Sequence, residues 1–295
     1  MEHYDILTVG GGAAGMAAAL SAAEKGRRVL LCERAAALGG VLNQCLHRGF
    51  GRAWYGEDLT GVEYGGRFAA RLAHSDVTVC TGAEVLSLSP ERSALISGRT
   101  GLFRVSFDRC VLSAGCRERP IGALPVSGTR PAGVFTAGTA QMLLNVGHYS
   151  IGAAAVILGS GDVGQIVARQ LVQSGHSVVA MVEQADRLGG LARNRRECVE
   201  AYHIPVLLRA TVEQVHGAGR VSAVTVRHLD TGARETLECD TLITAVGLVP
   251  DRALCRGLES GGALPDWLHL AGNCAFVHDI VDSVTAEAMA LGAEL

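Results

Sequence analysis

The sequence is poor in aromatic residues, proline and lysine. Aromatic residues make up 4% of the 295 positions, there are 7 prolines, and Lys25 is the only lysine among 26 basic residues, which we interpret as a compositional bias. The net charge of -3 excludes the basic surface that nucleic acid or anionic lipid requires. The chain also lacks the run of about 18 apolar residues that a membrane-spanning helix needs.

Clustered cysteines are missing as well. Nine cysteines are scattered along the chain without a C-x-x-C pair, which argues against a disulfide framework, a zinc ribbon and a clustered iron-sulfur site. We therefore predict reduced cysteines and no metal site. Residues 1–9 read directly as a strand, without the basic segment of an export signal, so we expect a cytoplasmic location.

Glycine is the residue present in excess. There are 38 glycines without a G-X-Y period, while 48% of the residues are hydrophobic and 19% are charged. Such a composition is typical of a compact protein with many tight turns between strands and helices. The length predicts two domains or one large one.

Comparison of the sequence with itself finds one unit used twice. Each copy has an apolar strand, a G-x-G-x-x-G turn, a helical stretch, a second strand and a glutamate. The first copy has its strand at 4–9, then Gly10, Gly12, Gly15 and Glu33. The second has its strand at 154–158, then Gly159, Gly161, Gly164 and Glu183.

Short alternating segments follow each copy and end in a small-residue turn, at 113–115 and at 245–247. This pattern is typical of a β-meander with a returning strand. We predict an α/β fold of two Rossmann-like three-layer domains, each with an inserted β-meander. Because residues 117–120 read as a crossing between domains, one domain would comprise 1–118 plus 265–295 and the other 119–264. Residues beyond about 264 resemble neither tail.

The repeated turn is suited to a dinucleotide. It allows a tight bend and a close backbone approach, and it directs the free N–H groups of a helix N-terminus towards a pyrophosphate. Glu33 follows Gly10 by 23 residues and Glu183 follows Gly159 by 24, near the spacing of an acid that binds a ribose 2′-hydroxyl. A carboxylate repels a 2′-phosphate, so NAD(H) is expected over NADP(H) at the second site, although Arg187 could reach a phosphate.

These motifs resemble those of the two-dinucleotide-binding-domain flavoproteins, the superfamily of thioredoxin reductase and glutathione reductase. The resemblance is carried by both glycine turns with their glutamates, by Ser113–Gly115 and Ala245–Gly247, and by the terminal 270–273. A closer resemblance is to the FAD/NAD(P)-dependent oxidoreductases often paired with glycerol-3-phosphate-dehydrogenase-type flavoproteins. It rests on the stretches 39–51, 55–61, 130–141, 189–194 and 278–282.

The resemblance implies FAD in the first domain and a nicotinamide dinucleotide in the second. The implied FAD-binding residues are Gly10, Gly12, Ala13, Ala14, Gly15, Glu33, Arg34, Gly40, Val41, Gln44, Cys45, Ala83, Glu84, Val85, Ser113, Ala114, Gly115, Gly272, Asn273, Asp282 and Val284. The implied NAD(H)-binding residues are Gly159, Gly161, Asp162, Val163, Gly164, Glu183 and Gly247. Asn273 stands where most of the superfamily carries Asp, and an amide still accepts a hydrogen bond.

The implied activity is hydride transfer from NADH to N5 of FAD, followed by electron delivery to an acceptor or a partner protein. An alternative is an electron-transfer or assembly subunit of a multi-subunit dehydrogenase, with little activity alone, so a homo- or hetero-oligomer is possible. Disulfide reductases of the superfamily use a cysteine pair after the first Gly-Gly or a central C-x-x-C. Here residues 136–140 lack cysteine, and Cys45 is the only cysteine after Gly39-Gly40.

Two residues are catalytic candidates. Cys45 could act as a thiolate with its pKa lowered by His47, or it could be a buried thiol without a role in turnover. His278 lies before the terminal helix and is a candidate proton donor. Asp279 and Asp282 are candidates for a simple N-cap of that helix, whose positive end would favour the electron-rich edge of the flavin.

An aromatic and basic stretch lies around residues 48–67. It contains Arg48, Arg52, Trp54, Tyr55, Tyr64 and Arg67. Two interpretations remain open, a substrate lid or partner-docking surface on the one hand and an ordinary helical connector on the other.

Overall fold

The computed structural model describes residues 1–295, which form two compact units. The first unit comprises Met1–Arg117 and Val249–Leu295, and the second comprises Glu118–Leu248. The second crossing therefore lies at residue 248, before the expected end of the central domain at 264. The reason is apolar packing, because Leu254, Cys255, Leu258 and Leu264 belong to a core cluster of the first unit.

The first unit opens with a strand, a helix and a strand, followed by a hairpin, a helix and a meander. Its elements up to the crossing are β1 (Glu2–Val9), α1 (Ala13–Glu24), β2 (Val29–Glu33), β3 (Arg48–Phe50), β4 (Leu59–Thr60), α2 (Gly61–Ala73), β5 (Thr78–Thr81), β6 (Glu84–Ser89), β7 (Ser93–Gly98), β8 (Gly101–Leu112) and β9 (Cys116–Glu118). A 3-10 turn at Gly40–Gln44 precedes β3.

The second unit also contains a strand–helix–strand segment and a meander, which two strands and a helix precede, and the chain then returns to the first unit. The elements are β10 (Ser127–Gly128), β11 (Val134–Thr136), α3 (Ala137–Asn145), β12 (Ala154–Leu158), α4 (Asp162–Gln173), β13 (Ser177–Val182), α5 (Ala192–Asn194), β14 (Val206–Leu207), β15 (Ala210–His216), β16 (Ala223–His228), β17 (Arg234–Glu238) and β18 (Thr241–Thr244). The short strand β19 (Leu248–Pro250) lies at the second crossing. The returning segment forms β20 (Leu268–Leu270) and α6 (Val281–Glu294).

The first unit is built on a sheet with the order β5-β2-β1-β8-β7-β6. Strands β5, β2, β1 and β8 are parallel, whereas β6, β7 and β8 are antiparallel. β8 is long enough to join both parts, because its first half pairs with β7 and its last residues pair with β20. The meander is therefore continuous with the parallel sheet.

Apolar layers cover both faces of this sheet. On one face α1, α2 and α6 enclose a cluster that includes Met16, Leu31, Phe68 and Val284. On the other face the meander and the returning segment enclose Leu7, Phe107 and Trp267. Strand segments buried on both faces require near-continuous apolar sequence, as residues 6–9 of β1 and 29–32 of β2 have.

The second unit has the same parallel sheet but a detached meander. Its parallel sheet has the order β11-β18-β12-β13-β14, and β10, β15, β16 and β17 form a separate sheet. The separation occurs at Cys239–Asp240, between β17 and β18. There the Asp240 carboxylate accepts hydrogen bonds from the backbone N–H groups of Ala153 at 2.7 Å and Ala154 at 3.1 Å.

The returning segment has a counterpart in the second unit that the sequence comparison missed. β20 pairs in parallel with the end of β8, and β11 pairs in parallel with β18 in the same way. Each of these strands is followed by a helix, α6 or α3. In the second unit this strand and helix come before the repeated motif instead of after it, so the order along the chain conceals the similarity.

The predicted fold class is confirmed: both units are α/β, with parallel sheets, covering helices and a β-meander. No helix of the structure combines the length and the apolarity needed to cross a membrane.

Close packing of α6 on α1 generates a stability prediction. A Cβ added at Gly292 would lie 2.3 Å from the carbonyl oxygen of Ala18, so Gly292→Ala forces the two helices apart. We expect a loss of about 1–3 kcal/mol in the free energy of unfolding, measured by chemical denaturation.

Gly66 provides the matched control. It lies in α2, and a Cβ there would meet nothing within 4 Å. Gly66→Ala should therefore raise stability by up to about 1 kcal/mol, since alanine is the better helix former. Equal effects of the two substitutions would contradict the packing argument.

Candidate functional site

The first glycine turn joins β1 to α1 with three glycines in different roles. Gly10 has a φ of +101°, and a Cβ there would lie 2.5 Å from the carbonyl oxygen of Ser113. A Cβ at Gly15 would lie 1.8 Å from the carbonyl oxygen of Gly10. At Gly12 a Cβ would meet nothing within 4 Å. Gly10 and Gly15 thus permit close packing, and Gly12 leaves open space at the start of α1.

The second glycine turn, between β12 and α4, repeats this arrangement. Gly159 has a φ of +97°, and its Cβ would lie 2.3 Å from the carbonyl oxygen of Ala245. A Cβ at Gly164 would lie 2.8 Å from the Ala245 Cβ. The nearest atom to a Cβ at Gly161 is 4.0 Å away, so the start of α4 is open as well.

Each glutamate binds the glycine turn of its own unit. Glu33 accepts hydrogen bonds from the backbone N–H of Gly11 at 2.6 Å and of Ala35 at 2.7 Å. Glu183 accepts from the N–H of Ser160 at 3.1 Å and of Ala185 at 2.8 Å, the equivalent positions. Both carboxylates are thereby placed beside the turn, where a ribose hydroxyl of a bound dinucleotide would lie.

The helix N-termini differ in whether a side chain binds their free N–H groups. Those without such a side chain are candidate ligand sites. No side chain caps α1, α4 or α6. In contrast, α2 begins with a capping box of Thr60 and Glu63. At α3 the Glu118 carboxylate accepts from the N–H of Gly138 at 2.6 Å and of Thr139 at 3.3 Å, and from the Thr136 hydroxyl. Uncapped N–H groups at α1 and α4, beside open space, fit an anionic group such as a pyrophosphate.

Other predicted residues of the first site converge on the start of α1. The Ser113 hydroxyl lies 2.8 Å from the Val9 carbonyl oxygen and 2.9 Å from that of Gly10, so it holds the turn. A Cβ at Gly40 would lie 3.2 Å from the Gly12 Cα, and one at Gly272 would lie 2.7 Å from the Ala14 Cβ.

The remaining predicted residues of the first site divide by exposure. The exposed ones are Arg34, Val41, Glu84 and Ala114, and Ala13, Gln44 and Gly115 are half-buried. Ala83 and Val85 are buried in the core, and the N–H of Ala83 donates to the Glu33 carbonyl at 2.9 Å. In the second site Val163 and Gly247 are exposed, and Asp162 accepts from the N–H of Leu191 at 2.8 Å and the amide of Asn194 at 2.7 Å.

Asp282 is not a helix cap. The N-cap position of α6 is Ile280 and carries no capping side chain, and Asp279 is exposed. The buried Asp282 carboxylate instead accepts from the backbone N–H of Gly51 at 3.1 Å and of Ala53 at 2.8 Å. The N-cap prediction for both aspartates is therefore wrong, because Asp282 binds a turn that is distant in sequence.

His278 is held at both ends of its ring. Its Nε2 lies 2.8 Å from the Glu287 carboxylate, and its Nδ1 lies 3.4 Å from the Asn273 side-chain oxygen. That same oxygen accepts from the His278 backbone N–H at 3.0 Å. Asn273 thus fixes the turn before α6, and the proton-donor role of His278 stays a prediction.

Comparison with known proteins identifies the family of the chain. The model of the family described as pyridine nucleotide-disulphide oxidoreductase matches residues 4–266. The chain belongs to this family. It is accordingly a member of a family of FAD-dependent pyridine-nucleotide oxidoreductases, as the sequence resemblance implied.

Two curated relatives and one solved structure illustrate the range of the family. Hydrogen cyanide synthase subunit HcnB of Pseudomonas protegens is 29% identical over 90% of this chain and 61% of its own length. Thioredoxin reductase of Treponema pallidum is 26% identical over 87% of this chain and 80% of its own length. The crystal structure of T. acidophilum thioredoxin reductase superposes with a TM-score of 0.78 at 21% identity, covering 99% of this chain and 97% of that one. The match to HcnB covers only about three-fifths of that protein's length.

Cys45 does not have the environment of a reactive thiol. The side chain is buried, its Sγ donates to the Val41 carbonyl oxygen at 3.3 Å, and burial raises the pKa of the thiol to about 12. The expectation of a lowered pKa is thus contradicted, because desolvation disfavours the thiolate.

The aromatic residues of the stretch 48–67 pack together, and two of its arginines form ion pairs. Tyr55, Tyr64 and Phe68 form ring contacts, with centroids 5.4 Å apart for Tyr55 and Tyr64 and 5.6 Å for Tyr64 and Phe68. Arg52 pairs with Asp58 at 2.9 Å and Arg67 with Glu57 at 2.7 Å. These contacts favour the connector over a mobile lid.

Two residues that the sequence analysis passed over have defined roles. Glu118 occupies the N-terminus of α3, and no local pattern points to it, because its partners lie 18 to 21 positions further along the chain. Ser160 binds Glu183 through its hydroxyl at 2.6 Å. Alignment of the two glycine turns could have found it, since Gly11 stands at the same position of the first turn.

His3, Asp5 and Asp108 lie close together, but their contacts with other protein groups do not support a metal site. Its ligand atoms lie within 4.8 Å of one another, on the surface around β1 and β8. His3 pairs with Asp108 at 3.5 Å, and Asp5 accepts from the Arg28 N–H at 2.8 Å.

The raised pKa of Cys45 predicts slow alkylation. At pH 8 a thiol with a pKa of about 12 is ionised in roughly one molecule in ten thousand, so iodoacetamide should label Cys45 slowly in the folded protein and rapidly in denaturant. Peptide mass spectrometry measures both rates. Fast labelling of folded protein with a pH midpoint near 7 would contradict the structural assignment.

Proposed function

We propose that the chain is an NADH-linked flavoprotein, with FAD in the first unit and NAD(H) in the second. The observation that carries the proposal is the duplicated site, in which an open glycine turn, an uncapped helix N-terminus and a glutamate bound to the turn occur twice. Two such sites call for two dinucleotides. When bound, the flavin supplies a hydride acceptor, and the chain's own residues bind and orient both ligands.

The counterpart helices α6 and α3 support the placement of FAD in the first unit. α6 begins without a capping side chain, whereas Glu118 fills the N-terminus of α3. The first unit thus has two helix ends suited to electron-rich groups, one for a pyrophosphate and one for a flavin edge. In the second unit the end of α4 follows the glycine turn and lies beside open space, which is sufficient for a nicotinamide dinucleotide.

NADH is favoured over NADPH by the charge of Glu183. Its carboxylate is held beside the turn by three hydrogen bonds, from the Ser160 N–H and hydroxyl and from the Ala185 N–H. A 2′-phosphate at this place would meet a negative charge, whereas a ribose hydroxyl can donate to it. Arg187 is exposed and is the one nearby cation in sequence.

A second candidate function is that of an electron-transfer or assembly subunit. It is favoured by the relative named as a subunit of hydrogen cyanide synthase, and by the partial coverage of that relative. The partner would then be a dehydrogenase or an acceptor protein. NADH-dependent reduction of an artificial acceptor by the chain alone distinguishes the two, since an independent oxidoreductase reduces it and a dependent subunit needs its partner.

A disulfide reductase is the least favoured alternative. The position of a central C-x-x-C is occupied by the Glu118 contacts with Thr136 and Gly138, and Cys45 is a buried neutral thiol. The free state of all nine cysteines is in keeping with the cytoplasmic location that forms part of this proposal.

Two matched substitutions test the two-site proposal. Gly12 and Gly161 have ordinary extended backbone, and a Cβ at either position would have no contact closer than 4.0 Å, so both positions accept a side chain in the free protein. Each valine would fill the volume reserved for a pyrophosphate. We expect Gly12→Val to lose bound flavin, and Gly161→Val to keep flavin while losing its reduction by NADH, followed at ~450 nm under anaerobic conditions.

Thermal unfolding of both variants is the control, because neither should change the melting temperature of the ligand-free chain by more than a few degrees. Flavin retained in Gly12→Val, or unchanged NADH-dependent bleaching in Gly161→Val, would contradict the proposed occupancy.

A further inference from the structure

Ser160 connects two parts of the second site through one buried hydroxyl. The residue is 1% exposed. Its Oγ donates to the Glu183 Oε2 at 2.6 Å and accepts from the Gly189 N–H at 2.8 Å. The hydroxyl hydrogen is therefore bound to Glu183, and the hydroxyl oxygen is bound to the segment at 189–194.

The first site lacks this connection. A Cβ at Gly11 would lie 2.5 Å from the Leu38 Cδ2, so a side chain there would have to displace Leu38. Gly39, the counterpart of Gly189, donates instead to the backbone carbonyl of Gly11 at 2.8 Å. The two sites share their backbone geometry and differ in this hydroxyl, which makes it a candidate for a role specific to the second ligand.

The segment 189–194 is held by two more side chains of the same turn and helix. Asp162 accepts from the N–H of Leu191 at 2.8 Å. The Gln165 amide, fully buried, donates to the Ser160 carbonyl at 2.7 Å and to the Gly189 carbonyl at 2.9 Å. Ser160 thus stands where the acid, the turn and this segment meet.

We propose that Ser160 is a positioning residue that sets the affinity and the selectivity of the second site for a dinucleotide with a free 2′-hydroxyl. This inference rests on the proposed function. The hydroxyl holds one carboxylate oxygen of Glu183, so the remaining lone pairs keep a fixed direction towards the ribose. Without it, Oε2 keeps only the hydrogen bond from the Ser160 N–H at 3.1 Å, so the carboxylate is held less firmly and its bond to a 2′-hydroxyl weakens.

The test is direct binding of NADH and NADPH to the full chain by calorimetry, under anaerobic conditions and after the flavin has been reduced with dithionite, so that hydride transfer adds no heat. For Ser160→Ala we expect the Kd for NADH to rise about tenfold, as the loss of a hydrogen bond to a charged group implies, with little change for NADPH. Flavin content and the flavin reduction rate at saturating NADH should stay unchanged. Ser127→Ala is the matched control, because the exposed Ser127 donates only to the Glu213 carbonyl at 3.0 Å in the same unit.

A double-mutant cycle separates positioning from general stability. In a Glu183→Ala background, Ser160→Ala should weaken NADH binding no further, because the hydroxyl acts through the carboxylate. Full additivity, or a Kd for NADH in Ser160→Ala equal to that in Ser127→Ala, would overturn the inference. If the alanine variant does not fold, Ser160→Gly, which reproduces the first turn, takes its place with the same expected results.

Failure of the underlying function looks different. If the wild-type chain binds neither nucleotide, the proposed function is wrong and the inference falls with it. If the wild-type chain binds NADH and Ser160→Ala binds it equally well, only the role of Ser160 is wrong.

Discussion

The hydrogen bond between a glutamate carboxylate and the backbone of a glycine turn organises each unit of this protein. The acid stands at the end of the second strand, and the turn at the end of the first, so the bond fixes neighbouring strand ends together. The ends of β8 and β18 complete the arrangement. The N–H of Ser113, after β8, donates to the Val9 carbonyl, and that of Ala245, after β18, donates to the Leu158 carbonyl. A tight turn with an open helix end follows from these constraints, and the candidate ligand sites follow from the turn.

Duplication of this arrangement did not make the two units equivalent. In the first, the long β8 carries the meander into the parallel sheet, whereas in the second a break at residues 239–240 detaches it. β20 and α6, beside β8, follow the repeated motif in the first unit, whereas β11 and α3, beside β18, precede it in the second. The two units therefore present different helix ends at the same place in the sheet, one uncapped and one bound by Glu118.

Carboxylates decide which helix ends remain for ligands. Glu63 and Glu118 satisfy N–H groups at α2 and α3, and Asp282 binds the turn at Gly51 and Ala53 instead of its own helix. Acids near helix starts are thus not equivalent. Glu63 and Glu118 bind N–H groups at a helix start, whereas Asp282 binds a turn that is distant in sequence. Only the contacts of each carboxylate tell the two cases apart.

Local sequence patterns are sufficient to predict the duplicated strand–turn–helix unit with its glycine turn and glutamate, because each part depends on residues close together in the chain and on local backbone geometry. The tertiary structure alone decided the partners of Asp282, Glu118 and Ser160, the raised pKa of Cys45, and the unit to which residues 249–264 belong. These depend on burial and on contacts between segments far apart in sequence, which no local pattern records.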